Sequence, residues 1–202
     1  MTTPYRFPLP PVPSDTTAAP VGPIFDASRK AMHMVPNMYT YMAHAPALLQ
    51  TYMDGYQRFR TESGFTPAEQ EVVFLAISRE NGCEYCVAAH STVADLMSKV
   101  PRDVTDAIRD DRAVPDARFG ALATFTRHMV STRGRPTEAM ARGFLEAGYS
   151  DTQVLYVILA VSVKTISNYS NHICDTPIDG AFKVREWRLF KAAQSFVDVI
   201  RR

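Results

Sequence analysis

Long apolar runs are missing from this chain: none approaches the roughly 20 residues that a membrane-spanning helix needs. A surplus of charge is missing too. The 22 Lys and Arg residues nearly balance the 21 Asp and Glu, leaving a net charge of +1. Neither nucleic acid nor an acidic membrane is therefore expected as a partner. The N-terminal MTTPYRFPLP has no charged region followed by an apolar one, so no secretory signal is expected. Cysteine is scarce, at three residues in 202. Three thiols without export suit a reducing, cytoplasmic compartment, where a close pair is more often redox or metal than structural. Convincing strands are absent, which sets aside the thioredoxin arrangement, where C-x-x-C accompanies a βαβ unit. What remains is an ordinary globular composition, 46% hydrophobic and 21% charged. The length allows one substantial core or one duplicated domain.

One stretch concentrates the chemistry. Residues 71–90 read EVVFLAISRENGCEYCVAAH. Thr66-Pro67-Ala68-Glu69 is a capping box with proline at the first helical position. The apolar run from Val72 to Ile77 then predicts a buried helix, and Asn81-Gly82 predicts its end. Cys83 opens a second helix that runs to the residues before Pro101. Cys83 and Cys86 form a C-x-x-C pair, and His90, four residues after Cys86, shares its helical face. A thiol in a first helical turn meets unsatisfied N–H groups and the positive dipole end. Such thiols titrate at roughly 3.5–7.5 rather than about 8.5, which favours the nucleophilic thiolate. Glu71 lies in a mostly apolar helix, where a carboxylate needs a partner. His90 is the candidate partner, directly or through water.

The pair has three readings: a redox couple, half of a metal site, or a structural pair. Zinc sites prefer a second C-x-x-C or an H-x-x-x-H, and neither is present. Only His172 or Cys174 offers a fourth ligand to Cys83, Cys86 and His90. Haem attachment needs histidine directly after the second cysteine, and Val87 stands there. Cys174 reads as a small buried hydrophobe, with a third redox thiol as the alternative. No cofactor and no metal are expected.

The spacing Glu, eleven residues, Cys, two residues, Cys, three residues, His resembles the AhpD-like alkylhydroperoxidases within the carboxymuconolactone decarboxylase family. Glu71, Cys83, Cys86 and His90 match that pattern position for position. The resemblance implies an all-α fold, Cys86 as peroxidatic thiol, Cys83 as resolving thiol, and a Glu71/His90 proton relay. It also implies a homo-oligomer, a trimer or larger. One branch has a histidine just before the second cysteine; here that position is Tyr85, a candidate wall of the substrate pocket. The decarboxylase branch lacks the cysteine pair, so its reaction is not implied.

Around the motif, residues 1–23 hold seven of the 14 prolines and predict an extended arm. Tyr5, Phe7, Leu9 and Val12 could anchor that arm on a neighbouring subunit. Residues 24–202 are expected to form a single helical domain. A short helix is predicted over Ile24–Val35 and a longer one over Asn37–Arg60, interrupted at Pro46. The charged residues 99–118 predict a solvated short helix and turn. Helices follow over Asp116–Thr132 and Pro136–Ala147, and a last one, with a broad apolar face, over Ile178–Ile200. Residues 148–170 align without gaps on residues 64–86, pairing Gly148 with Gly64 and Ser150/Gln153 with Thr66/Glu69. This predicts two similar helical units, about residues 60–98 and 144–175, only the first carrying the acid, the thiols and the histidine. Ser167 and Ser170 stand where Cys83 and Cys86 would, and Val163 to Ile166 match nothing.

The expected activity is reduction of hydroperoxides by a Cys83/Cys86 dithiol–disulfide cycle, drawing on a dithiol or protein reductant. A non-enzymatic redox sensor or interaction protein is the alternative, and a metal-assisted lyase or decarboxylase a weaker one.

Overall fold

Every residue from Val72 to Ile77 is buried, so the helix that carries them has no solvent face. The rest of the fold wraps that helix. The computed structural model describes residues 4–185, and within them all regular structure is helical. The helices are α1 (Val21–Met32), α2 (Asn37–Met42), α3 (Pro46–Glu62), α4 (Pro67–Glu80) and α5 (Glu84–Leu96). They continue with α6 (Arg102–Arg109), α7 (Ala117–Ser131), α8 (Glu138–Glu146) and α9 (Asp151–Cys174), and a 3-10 turn spans Gly180–Arg185. The buried helix is α4, and α5, α6, α7 and α9 all pack on it.

Local chemistry sets the boundaries. Thr66 and Glu69 close the capping box of α4 reciprocally, and Ser150 and Gln153 do the same for α9. Gly82 ends the α4–α5 connection with φ +68°, a left-handed conformation that glycine adopts without strain. At the matching point of α9 stand Thr165 and Ile166, neither of them a helix stop, and α9 runs on unbroken for 24 residues. Pro46 splits the helix expected over Asn37–Arg60 into α2 and α3, as its missing N–H requires. The first helix begins three residues earlier than expected, at Val21, where Gly22 packs so closely that a Cβ would lie 2.4 Å from the Thr17 carbonyl oxygen.

One expectation needs correction. Residues 99–118 are not simply solvated: Arg109 on α6 is fully buried and donates to Ser91 Oγ of α5 at 2.8 Å. A guanidinium with polar partners can tie two helices together from inside. The arm, residues 4–20, lies extended against its own chain. Phe7 N–H donates to the Ile173 carbonyl and Val12 N–H to the Thr40 carbonyl, both at 3.0 Å. Most of the expected final helix, and the apolar face assigned to it, lies outside the described residues.

Candidate active site

Antiparallel packing of α4 on α5 brings Glu71 to His90. Cys83 caps α5 and Cys86 stands in its first turn, so His90 lies one turn further along. α9 crosses the pair and presents Lys164, Ser167, Asn168 and Asn171, all buried, at three- and four-residue spacing on one face. α3 adds Arg60. Thus four helices build the site, and Glu71, Cys83, Cys86 and His90 are brought together as their spacing predicts.

The contacts form a chain of alternating charge. Arg60 pairs with Glu71 Oε1, and its guanidinium lies 4.9 Å from the centre of the Phe74 ring. Glu71 Oε2 is 2.8 Å from His90 Nδ1, and His90 Nε2 is 3.0 Å from Lys164 Nζ. An ammonium only donates, so Nε2 accepts and Nδ1 carries the hydrogen given to Glu71. Asn171 Nδ2 lies 3.4 Å from Cys86 Sγ and 3.8 Å from Cys83 Sγ, and Ser167 Oγ lies 3.9 Å from Cys86 Sγ. Both cysteines are free thiols, and both are almost fully buried.

Those neighbours separate the two thiols. Burial alone would raise the Cys86 thiol, but a hydrogen bond from Cys83 and the charge of Lys164 hold it well below the ordinary range. Cys83, as donor in that bond and itself buried, is pushed far up. Burial would also raise Glu71, but His90 and Arg60 outweigh it and keep the carboxylate ionised. Burial and Lys164 hold the imidazole of His90 neutral, partly offset by Glu71. The stable arrangement is therefore a thiolate, a carboxylate, two cations and a neutral histidine, which cancels charge inside the protein.

Tyr85 is tied to the segment that follows α9. Its hydroxyl donates to Asp179 Oδ2 at 2.5 Å, and Asp179 Oδ1 accepts from the Asn37 N–H at 3.1 Å. Asn37 Nδ2 donates in turn to the Pro177 carbonyl at 3.0 Å. The segment NHICDTPID thus ties α5 to the start of α2. A pocket of about 390 Å³ opens beside this tie, lined by Cys83, Tyr85, Asn171, Thr176 and Ile178 among others. Cys174 is half-buried, with its thiol raised by burial. Among the described residues no group of three or more His, Cys, Asp or Glu side chains is arranged to hold a metal ion.

Residues 46–126 match the carboxymuconolactone decarboxylase family. The chain has an AhpD-like helical fold. No curated protein sequence matches it significantly. Among solved structures it is similar to a peroxidase-related protein from Ralstonia eutropha JMP134, described as an alkylhydroperoxidase AhpD core. That likeness has TM-score 0.74 and 21% identity, over 92% of this chain and 98% of the other. A peroxidase-related protein from Silicibacter sp. TM1040 gives 0.70 and 19%, over 90% and 97%. A cysteine-to-alanine variant of the debrominase Bmp8, in complex with 2,3,4-tribromopyrrole, gives 0.69 and 17%, over 92% and 96%. At these identities the likeness is one of fold.

The site includes residues that spacing did not reveal. Lys164 falls in the four positions where the two halves of the chain share nothing, yet it contacts His90. The second unit, expected to be inert scaffold, supplies the cation. A signal existed: Lys164 is the only Asp, Glu, Lys or Arg between Asp151 and Asp175, in a strongly apolar stretch. Arg60 and Asn171 had no comparable signal, because each becomes polar lining only through the packing of α3 and α9 around α4.

Proposed function

We propose that the protein is a thiol-dependent peroxidase that reduces organic hydroperoxides through Cys86 and Cys83. The observation that carries the reading is Lys164, a buried ammonium against His90 and the Cys86 thiol. It supports a standing thiolate where an ordinary buried cysteine would be neutral. The Cys86 thiolate attacks the outer peroxide oxygen, the O–O bond breaks, and the alkoxide leaves with a proton from Lys164. Cys86 becomes a sulfenic acid. The neutral amine then takes the proton of Cys83, whose sulfur attacks Cys86; the S–O bond of the sulfenic acid breaks, the disulfide forms, and the departing hydroxide takes that proton from Lys164 and leaves as water. Glu71 stays ionised throughout; it fixes His90, and His90 holds Lys164 in position. Lys164 thus carries the protons, and the His90–Glu71 pair positions it.

The test is consumption of a small dithiol that depends on an alkyl hydroperoxide, run on the wild type and on Cys83→Ser and Cys86→Ser. Turnover lost in both variants is expected, with a trappable sulfenic acid only in Cys83→Ser. A wild type that forms its disulfide once and does not turn over is a redox sensor. Because of the debrominase likeness, a halogenated pyrrole belongs in the same assay.

Glu71→Gln keeps the shape but surrenders the charge that orients His90. Turnover should fall by at least about tenfold, in the range of general acid–base help. His90→Phe should fall similarly, and the double variant should cost little more, because groups acting as one unit are not additive. Near-normal turnover in folded Glu71→Gln leaves that residue only a packing role.

A further inference from the structure

The end of α9 carries polar atoms that the proposed cycle leaves unused. Asn171 Nδ2 faces three sulfurs: Cys86 at 3.4 Å, Cys83 at 3.8 Å and Met38 Sδ at 3.3 Å. The sulfur of a thiolate or thioether only accepts, so the donating end of the amide is the one turned toward them. The other end, Oδ1, is buried and has no hydrogen-bond partner among the described residues. Thr176 Oγ1 is buried and unpartnered as well. The fold holds the two residues together. Asp175 takes a left-handed conformation after α9 (φ 50°), and the Thr176 N–H turns back to donate to the Asn171 carbonyl at 3.2 Å. Both residues line the 390 Å³ pocket. A buried polar atom without a partner is destabilising, so two of them in one pocket wall call for a use. They suit a small oxygen-bearing group rather than a bare hydrocarbon.

We infer that the Asn171 amide is the peroxide clamp of the site: Nδ2 holds the Cys86 sulfur, and Oδ1 accepts a hydrogen bond from the O–H of the hydroperoxide. The inference rests on the peroxidase reading above and names a residue that touches its substrate. The amide is planar and rigid, so one side chain fixes the attacking sulfur and the attacked oxygen relative to each other. Cys86 and Oδ1 are both closed to solvent at rest. One amide spans them, so the local opening that admits a peroxide to the sulfur also brings it to Oδ1.

The hydrogen that Oδ1 accepts is never transferred. The Cys86 sulfur forms a bond to the outer oxygen, and the O–O bond breaks with its electron pair on the alkyl oxygen. That oxygen takes the proton of Lys164 and leaves as the alcohol. The outer oxygen keeps its hydrogen and becomes the O–H of the sulfenic acid, still donating to Oδ1. Sulfur has lost two electrons and the peroxide has gained them. Asn171 therefore favours a hydroperoxide over a reagent that meets the same thiolate without a hydrogen to give.

The experiment compares two reagents on Cys86 in the full Cys83→Ser chain, where oxidation stops at the sulfenic acid. One is tert-butyl hydroperoxide, with dimedone trapping the product. The other is N-ethylmaleimide, which has no O–H or N–H to donate. Mass spectrometry of the peptide holding Cys86 gives both rates. Both reagents meet the thiolate, so the ratio of the two rates cancels any change in ionisation. Asn171→Leu keeps a similar shape and removes both polar atoms. It should lower the ratio of peroxide to maleimide rate at least about fivefold, the size of one hydrogen bond. Loss of the Nδ2 contact alone slows both reactions and leaves the ratio where it was. Circular dichroism checks folding; if Asn171→Leu does not fold, Asn171→Ala removes the same atoms without bulk and is read in the same way. An unchanged ratio overturns the clamp and leaves Asn171 only a support for the sulfur. A parent chain whose Cys86 takes up maleimide but is not oxidised by the hydroperoxide overturns the proposed function, and the clamp with it.

Discussion

Burying an ammonium is costly unless an anion stands beside it. Lys164 is fully buried, and the thiolate of Cys86 is the anion that answers it. Lys164→Met keeps the length and removes the charge. The hydrogen bond from Cys83 then opposes burial without the help of the cation, and the Cys86 thiol should rise. At neutral pH the reaction with hydroperoxide should slow at least about tenfold, recovering as pH rises and thiolate returns. Stopped-flow rates against pH, with the ultraviolet absorbance of the thiolate as a second readout, check this. A rate at neutral pH equal to the wild type's would remove Lys164 from the chemistry.

The same two thiols give the reduced protein a stability profile with two opposing slopes. Cys86 is depressed in the folded state, so its contribution is present above the unfolded thiol value near 8.5 and is lost as pH falls through the folded one. Cys83 is raised, so its contribution is present below about 8.5 and is lost as pH rises above it. Reduced protein should therefore be most stable near pH 8.5, declining on both sides. Cys86→Ser should flatten the slope just below that pH, where His90 and Glu71 do not yet titrate. Thermal melts of both proteins under a reductant read the difference.

At the scale of elements, the tie from α5 through Asp179 to α2 carries a prediction. Tyr85→Phe removes a donor from a buried carboxylate whose titration is already raised by burial. The cost should be about 1–3 kcal/mol of stability, the usual penalty of a stranded polar group. Disulfide formation should persist, because the phenol touches neither sulfur in any described hydrogen bond. Denaturant unfolding of the reduced variant measures this, and an unchanged midpoint would show that water replaces the phenol. The tie also marks where sequence reasoning ran out. α4 was legible because its cap, its apolar run and its stop are all local signals. The partnership of Glu71 with His90 followed from composition, since an acid among Val72, Val73 and Phe74 needs an answer. The partners of Asp179 and Lys164 were not legible, because they lie 94 and 74 residues away; the lone charge of Lys164 in an apolar stretch announced a need but not what meets it. Arg109 misled for the opposite reason: its charged neighbours suggested solvent, and its own side chain turned inward.

For the whole molecule, what the fold leaves uncovered bears on assembly. α9 buries Lys164 and Asn171 on one face and exposes Leu155, Ile158, Tyr169 and Ile173 on another, at 65%, 45%, 56% and 44%. The arm continues this apolar surface: Phe7 bonds to Ile173 through its backbone, and Tyr5 packs edge-on against Phe7 with ring centres 5.1 Å apart. Single exposed apolar side chains are ordinary, but a contiguous stripe marks a contact surface. We propose that copies of the chain assemble through it, as a trimer or larger, with the arm of each copy completing the covered surface. Each large apolar side chain so covered contributes about 1.5–3 kcal/mol, and a few of them per subunit suffice for association at micromolar concentration. Light scattering of the wild type should give a mass at least three times that of one chain. Leu155→Glu with Ile158→Glu places two charges in the stripe without touching the buried face of α9, so folding should survive while the assembly falls apart. A wild type that scatters as a monomer at micromolar concentration would sink the proposal, and the stripe would then need a different partner.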